Sequence, residues 1–447
     1  MRKNSANSRW RLGFLAMMLA LVLGIVVAGC GGGDDDTTGS GGSTAATSEE
    51  AATGGEATTE EGSGAGETAP GGVTPEVEEL ITKATGVQYE DGALDENGLE
   101  AFEKAAETQD LTPEQEDLAF ECWTQSTCTL GDGELTYGVA DGFGGNTWRK
   151  FTKMEGILQA MAYPEIGKYI YLDAEADLAK MQSNIRSLST QGADIITSFD
   201  DFGSAVTPAF AAAQRAGAVV SVYVGPVEDA DASAITTQVV TEWCDAGKAM
   251  VDAAAEILKE KGNLALFGGP PGNPQGKTWW GCAEEQLDAE YPGMQVTYKG
   301  DTEWTAASAA KAASAAIASG KPIDLILYDY AEPVVNIVDA YKKAGKTPPA
   351  FVTVNQSNGL VTNWSEAQGS KDAYALDMTS SLAYVQRISI TAAINKIEGE
   401  EVPNEIFPPL DFIPAAKDQV EPDKPSDYPG PTVIVPTKLA ERMLTSG

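Results

Sequence analysis

The 447-residue sequence predicts an α/β protein with two lobes, each built on a doubly wound parallel sheet. Two observations lead to this prediction. From residue 134 onwards, short β-branched segments alternate with amphipathic helical segments, a pattern typical of parallel sheets. The alternation restarts near residue 235, so the same plan occurs twice in the chain. Because open α/β sheets bind ligands beyond the carboxyl ends of their strands, we expect a cleft between the lobes.

The first 29 residues have the features of a secretion signal. Four basic residues precede the apolar run 14–27, and small residues lead into Cys30. This segment resembles a bacterial lipoprotein signal, in which Cys30 becomes the lipidated first residue. An ordinary signal peptide or a short membrane anchor is the alternative. Residues 30–72 are nearly all Gly, Asp, Glu, Ser, Thr and Ala, which predicts a disordered acidic tether.

The composition excludes several classes of function. Acidic residues outnumber basic ones by 66 to 30, and a net charge of −36 disfavours nucleic-acid binding. The sequence contains no His, which removes Ser-His-Asp and Cys-His catalysis and the usual transition-metal sites. We therefore expect neither an enzyme nor a metal or cofactor. An enzyme would need a pair of carboxylates in the cleft with shifted pKa values.

Residues 73–133 predict a helical N-terminal extension. Thr74-Pro75 and Thr112-Pro113 are typical helix starts, and apolar residues follow them at helical spacing. The pattern indicates no function for this segment.

Four cysteines follow Cys30, and in an exported protein they indicate two disulfides. The sequence alone allows three pairings. We favour Cys122–Cys128 as a local link before the first strand and Cys244–Cys282 as a link between two helices of one lobe. A metal site is disfavoured by the cysteine spacing and by the lack of His.

The α/β region opens with a strand over 135–140. Asp141-Gly142 ends this strand, and Asn146-Thr147 can cap the helix that follows. The first half continues with strands at 169–173, 193–199 and 218–224 and helices at 177–190 and 205–216. The second half has strand-like segments at 235–242, 263–267, 295–298, 324–328, 350–354 and 373–376 and helices at 244–259, 278–289, 305–319 and 332–344.

The ordered series resembles the periplasmic sugar-binding proteins of ABC importers, the type I or ribose-binding-like class. The stretches that carry the likeness are 146–149 with Gly156, 181–196, 216–220, Gly247 and 340–345. The resemblance spans roughly 134–402 and implies three crossovers between lobes, near residues 237, 377 and 402. It places lobe 1 at 134–237 plus 378–402, including a returning helix at 382–397, and lobe 2 at 238–377 plus 403–447.

The sequence departs from the ribose-binding pattern at positions that contact ligand. Tyr223-Val224 stands where those proteins have an Asp-Arg pair. Thr278-Trp279-Trp280 stands where they have an Arg, and Asn355 looks like the position of a sugar-binding Asp. The sequence therefore does not identify the ligand.

Polar and aromatic residues at the predicted strand exits and helix starts are the candidate ligand contacts, because sugars need planar hydrogen-bonding groups and aromatic rings. Trp148, and either Trp279 or Trp280, could instead pack in the core and not contact ligand. Asp141 could serve only to cap the helix that follows it. The candidates are Phe143, Asn146, Trp148, Asp200, Asp201 and Tyr223 from lobe 1, and Trp279, Asp329, Tyr330, Asn355, Gln356 and Asp377 from lobe 2.

The loop ending in Gly276-Lys277-Thr278 follows a strand and precedes a helix, as a phosphate-binding loop does. Pro271 stands where that motif has Gly, and Pro274 lacks the backbone N–H that a phosphate would need. We therefore reject nucleotide binding.

These observations predict a lipid-anchored extracytoplasmic solute-binding protein of an ABC importer. Its expected partners are a sugar or sugar-like ligand, a membrane permease and, through the lipid, the membrane itself. We expect a monomer that closes on its ligand by hinge motion. The alternative is a ligand-sensing lipoprotein that presents a small molecule to a membrane signalling receptor.

Overall fold

The structure of the protein is a computed structural model that describes residues 72–227, 230 and 232–446. The predicted signal segment, with Cys30, and nearly all of the predicted tether lie outside these residues. Within the described residues, no helix has both the length and the apolar character needed to cross a membrane.

The N-terminal extension contains three helices and one short strand. Thr112 and Gln115 form a reciprocal capping box at the third helix, as Thr-Pro-Glu-Gln predicts. The extension comprises α1 (Pro75–Thr85), α2 (Glu96–Ala106), α3 (Pro113–Thr124) and β1 (Thr127–Thr129). The strand pairs antiparallel with β3 (Ile166–Asp173), so the extension continues the sheet of the first lobe.

The first lobe is a seven-stranded sheet with helices on both faces. The order of its strands is β1-β3-β2-β4-β5-β6-β12, and every pair except β1 with β3 is parallel. Its other strands are β2 (Leu135–Asp141), β4 (Ile195–Phe199), β5 (Val219–Val224), β6 (Thr237–Val240) and β12 (Glu405–Ile406). Its helices are α4 (Thr147–Met161), α5 (Leu178–Thr190), α6 (Thr207–Arg215) and α12 (Val385–Glu398).

The second lobe is a six-stranded sheet with the order β13-β11-β10-β9-β7-β8. All pairs except β11 with β13 are parallel. Its strands are β7 (Gly262–Gly268), β8 (Met294–Asp301), β9 (Leu325–Tyr328), β10 (Ala350–Thr353), β11 (Leu376–Met378) and β13 (Ile413–Pro414). Its helices are α7 (Trp243–Leu258), α8 (Pro274–Glu290), α9 (Ala306–Ala318), α10 (Val334–Lys343) and α11 (Asn358–Ala367). The predicted class of two doubly wound parallel sheets is confirmed.

Side-chain caps fix the starts of the helices that border the cleft. Asn146 accepts a hydrogen bond from the backbone N–H of Arg149, which turns the chain from the exit of β2 into α4. Asn273 caps α8 and Thr305 caps α9 in the same way. The polar residues that follow the strands therefore hold the cleft-facing loops in place.

The crossings between lobes differ from expectation at the end of the chain. The first two lie at 241–242 and 379–384, where the resemblance implied crossovers near 237 and 377. The third lies at 407–412, because the short strand β12 adds to the first sheet before the chain reaches β13 in the second. The predicted boundary at residue 402 is therefore wrong.

The C-terminal tail, which we expected in lobe 2, is divided between the lobes. Val420 packs with the core of the second lobe, whereas Val433, Val435 and Leu439 pack with the core of the first. The last helix, α13 (Thr437–Ser446), lies against α3. The tail thus crosses between the lobes a fourth time. Its apolar residues then complete the core of the first lobe beside α4.

Both favoured disulfides are present. Cys122–Cys128 joins the end of α3 to β1, and Cys244–Cys282 joins α7 to α8. The second link holds together two helices that pack against each other along the second lobe.

Candidate functional site

A cavity of ≈ 80 Å³ lies between the lobes, where strands of both sheets end. Phe199 ends β4 and Val224 ends β5, while Asp329 follows β9 and Asn355 follows β10. The first lobe contributes Asn146, Trp148, Arg149, Phe199 and Val224. The second contributes Trp243, Gln275, Trp304, Asp329, Tyr330, Val354 and Asn355, and the second crossing contributes Ser381 and Leu382.

A smaller cavity of ≈ 20 Å³ adjoins the first. The two share Phe199, Gln275 and Trp304 in their walls. The smaller one adds the carboxylates Asp200 and Asp201, which follow β4. The two cavities therefore form one site at the cleft, called the interlobe site below.

Trp148 connects the first lobe to the second crossing. Its indole N–H donates to the carbonyl oxygen of Ser381 at 2.6 Å. Its ring meets Phe199 edge-on, with 5.7 Å between ring centroids. An aromatic face is thus fixed beside the point where the chain passes between lobes.

Arg149 lies at the centre of a buried charge cluster. Its Nη1 donates to Asp141 Oδ1 at 2.6 Å, and its Nη2 donates to both oxygens of Asp201 at 2.9 and 3.0 Å. The guanidinium also stacks 3.3 Å from the centroid of the Phe199 ring. Burial lowers the pKa of Arg149, but the two carboxylates more than offset this, so its net pKa is raised. Arg149 therefore stays charged.

Asp200 is the least satisfied carboxylate of the site. Its Oδ1 accepts from the backbone N–H of Phe202 at 2.8 Å, whereas its buried Oδ2 has no partner among the described residues. Burial raises the pKa of Asp200 to about 8, and the hydrogen bond from Phe202 opposes that rise. An uncompensated acceptor therefore lies in the wall of the interlobe site.

Asp329 anchors the second-lobe side of the cavity. Its Oδ1 accepts from the indole N–H of Trp304 at 2.9 Å, and its Oδ2 accepts from that of Trp279 at 3.0 Å. Burial raises the pKa of Asp329 to about 6, and hydrogen bonds from Trp304, Trp279 and Gln275 lower it. One carboxylate thus sets the orientation of two tryptophans.

Asn355 and Tyr330 complete this wall. Asn355 has a φ of 58°, in the left-handed region that Asn tolerates better than most residues. Its Oδ1 accepts from the N–H of Ala331 at 3.0 Å, and its own N–H donates to Thr379 Oγ1 at 2.7 Å. The hydroxyl of Tyr330 donates to Glu332 at 2.6 Å. The exits of β9 and β10 therefore brace each other.

The structure brings seven of the twelve predicted residues to the interlobe site. Asn146, Trp148, Asp329, Tyr330 and Asn355 line the larger cavity, and Asp200 and Asp201 line the smaller one.

The other five predicted residues line neither cavity. Phe143 is 44% exposed on its loop, whereas Tyr223 is buried against the edge of Phe199. Trp279 is fully buried and bound to Asp329. Gln356 is buried beside Gly430 of the tail. Asp377 lies within β11, where it pairs with Pro414 of β13, and it lines a separate pocket.

Several wall residues were not among the candidates. Trp304 follows β8, and Gln275 lies in the first turn of α8, within the segment that resembles a phosphate-binding loop. Trp243 opens α7 directly after the first crossing. Phe199 and Val224 end their strands, so a search of strand ends would have included them. Their apolar side chains gave no reason to expect contact with a polar ligand. The residues missed are Arg149, Phe199, Val224, Trp243, Gln275, Trp304, Val354, Ser381 and Leu382 in the larger cavity, and Gly203, Gly225, Pro226 and Asn273 in the smaller one.

The site offers hydrogen-bonding groups and aromatic faces. Among the described residues, one set of carboxylate and cysteine side chains lies close enough together to hold a metal ion. It consists of Glu242, Cys244 and Asp245. Cys244 belongs to a disulfide and has no thiolate to offer. The arrangement at the interlobe site is suited to holding a small polar molecule.

Comparisons with known proteins agree with this geometry. The sequence model of the family described as "periplasmic binding protein domain" matches residues 138–400. A search of curated proteins found no match.

Three of the similar solved structures show the range of these neighbours. The binding component of the arabinose ABC transporter from Shewanella sp. ANA-3 is 18% identical, with a TM-score of 0.56, and the match covers 63% of this chain and 92% of that one. A solute-binding protein from Bacillus halodurans C-125 with bound myo-inositol is 15% identical, with a TM-score of 0.56 and coverage of 63% and 95%. The fructose-binding periplasmic domain of a hybrid two-component system is 17% identical, with a TM-score of 0.55 and coverage of 63% and 91%. At these identities the likeness establishes the fold.

Proposed function

Because the chain belongs to the periplasmic binding protein domain family, we propose that it is the solute receptor of an ABC importer, with a sugar or sugar-like ligand held between its lobes. The family consists of binding proteins rather than enzymes, and it implies a location outside the cytoplasm. The finer assignment to a sugar is our inference from the site, and the assignment to a transporter is our inference from the similar structures.

The observation that carries the proposal is the composition of the interlobe site. Trp148, Trp304 and Tyr330 supply rings that can cover the C–H faces of a sugar. Asn146, Gln275, Asp329 and Asn355 offer planar groups that can accept or donate hydrogen bonds to hydroxyls. These are the residue types that a polyhydroxylated ligand requires.

The size of the cavity supports a hinge mechanism. At ≈ 80 Å³ it is far below the roughly 300–1,000 Å³ of an ordinary ligand pocket. We infer that the lobes separate to admit the ligand and close around it. The crossings at 241–242, 379–384 and 407–412 are short segments in which backbone rotation can produce that motion.

The remaining features of the proposal come from the chain's first 72 residues and its neighbours. A lipid on Cys30 and an acidic tether would keep the receptor at the outer face of the membrane. Binding components of ABC transporters are among the similar structures, which supports a permease as the partner. We propose that the closed, ligand-bound monomer docks on that permease.

Sensing is the second candidate, and one observation favours it. A similar structure is the periplasmic domain of a hybrid two-component system, so the same fold also serves receptors. Genes for a permease and an ATPase beside the gene for this chain would favour transport. A neighbouring gene for a membrane kinase would favour sensing.

Ligand screening tests the proposal. We expect at least one sugar, amino sugar or polyol from a broad panel to raise the melting temperature and to bind with 1:1 stoichiometry in calorimetry. Asp329→Asn is expected to weaken that binding at least tenfold, whereas Asp288→Asn, at an exposed position on α8, leaves it unchanged. A panel in which none of these compounds binds would contradict the proposal.

A further inference from the structure

The ionisable groups of the interlobe site are mostly acidic. Asp200, Asp201 and Asp329 line its two cavities, and Asp141 lies directly behind Arg149. Arg149 is the one cation among the residues that line these cavities. Because its two amino groups already donate to Asp141 and Asp201, it has little positive charge to offer an anionic ligand.

The aromatic walls add to this negative potential. Trp148, Trp243, Trp304, Phe199 and Tyr330 surround the larger cavity. The face of an aromatic ring attracts cations, most strongly for Trp. The Arg149 guanidinium, stacked 3.3 Å from the Phe199 centroid, shows that a ring of this site already holds a cation.

Two buried polar atoms of these walls lack partners within the described chain. Asp200 is 6% exposed, and its Oδ2 accepts no hydrogen bond. The indole N–H of Trp243 has no acceptor. Leaving such groups unsatisfied is costly, so a ligand that satisfies them gains affinity. With a pKa of about 8, the Asp200 carboxyl is mostly protonated at pH 7 in the unliganded protein, and a cation bound against Oδ2 would favour its ionised form. Trp243 needs an acceptor such as a hydroxyl oxygen.

From this geometry we propose that the ligand is a polyhydroxylated molecule with a protonated amino group, such as an amino sugar or an aminocyclitol. The inference rests on the proposed function and narrows its class of ligand. The ammonium group lies at the Asp200 end of the site and its hydroxylated ring lies among the tryptophans. A uronic acid or sugar phosphate is rejected, because its charge would meet carboxylates and no uncompensated cation.

Matched compounds separate the effect of charge from the effect of shape. We would titrate the purified protein at pH 7 with D-glucosamine, D-glucose and D-glucuronate, and with an amino-inositol and myo-inositol. The protonated amine is expected to bind at least tenfold more tightly than its neutral counterpart in one of these sets, and the uronate at least tenfold more weakly. Asp200→Asn, an isosteric change, should reduce the preference for the amine to less than threefold, whereas Asp288→Asn leaves it intact.

The possible outcomes distinguish this inference from the proposed function. A neutral sugar or cyclitol that binds as tightly as its amine overturns the charge assignment and leaves a sugar receptor in place. A preference for the amine that survives Asp200→Asn overturns the role of Asp200. If no compound of either set binds while another sugar or polyol of the broad panel does, this inference fails and the proposed function stands. If nothing in the broad panel binds, both fail. Circular dichroism of each variant confirms that it folds.

Discussion

The Nη2 group of Arg149 donates to both carboxylate oxygens of Asp201, at 2.9 and 3.0 Å, and so ties the first helix of the first lobe to the exit of β4. The same guanidinium binds Asp141 at the exit of β2. One side chain thus fixes two strand ends that border the interlobe site. The pairing neutralises charges that would otherwise be buried at great cost.

Replacing Arg149 is therefore expected to destabilise the first lobe. Arg149→Met leaves Asp141 and Asp201 buried without their cation, which should cost about 3–5 kcal/mol of unfolding free energy. Urea denaturation followed by tryptophan fluorescence would measure this. Arg186→Met, at an exposed position on α5, is the control and should change stability by less than about 0.5 kcal/mol. Equal effects of the two changes would contradict this account.

The N-terminal extension is expected to be part of the first lobe's core. Phe102 is buried and its ring lies 5.4 Å from that of Tyr384, beside the start of α12. Phe102→Ala should therefore lower the unfolding free energy by about 3–5 kcal/mol. Phe407→Ala removes a ring that is 51% exposed and should cost far less. A Phe102→Ala protein as stable as the wild type would show that the extension folds independently.

The buried carboxylates predict how stability depends on pH. Burial raises the pKa of Asp200 to about 8 and those of Asp201 and Asp329 to about 6. Because the folded state then binds these protons more tightly than the unfolded state does, the unfolding free energy falls as pH rises from about 4 to 8.

Asp200 dominates the upper part of this range. Asp201 and Arg149 are the charged groups that act on Asp200, with opposite signs. Between pH 6 and 8 the loss due to Asp200 should be about 2 kcal/mol. Chemical denaturation at pH 6 and 8 would measure it, and Asp200→Asn should remove that part of the slope. Stability of the unliganded protein that rises from pH 6 to 8 would contradict the burial of Asp200.

The two disulfides should contribute unequally. Cys244–Cys282 spans a sequence separation of 38, whereas Cys122–Cys128 spans 6. In the chain-entropy description, removing them costs about 4 and about 2 kcal/mol respectively. Paired Cys→Ser variants compared by thermal denaturation would test the order. A larger loss for the Cys122–Cys128 pair would show that native packing, and not loop length, decides the contribution.

The sequence predicted the strand exits well, because polar residues after apolar strands leave a clear pattern. Asp329 and Asn355 follow β9 and β10 as expected, and Asn146 caps α4. Asp377 shows the limit of the rule. It lies in the middle of β11, paired with Pro414 of β13, and a strand position cannot be told from an exit when the strand has three residues.

The walls at the starts of α8 and α9 were not predictable in the same way. Gln275 lies two residues after the cap Asn273 and Trp304 directly before the cap Thr305, and neither follows an apolar strand closely enough to be selected as a strand exit. The course of residues 403–447 was also missed, since two-residue strands such as β12 and β13 have no periodicity to detect.

The central claim is that a small polyhydroxylated ligand binds between the lobes. A crystal structure of the protein with the tightest compound from the panels tests it most directly. We predict that the ligand ring lies against Trp148 and Trp304, with hydrogen bonds to Asp329 and Asn355 and a polar group at Asp200. A ligand found outside the cleft, contacting one lobe alone, would contradict the account.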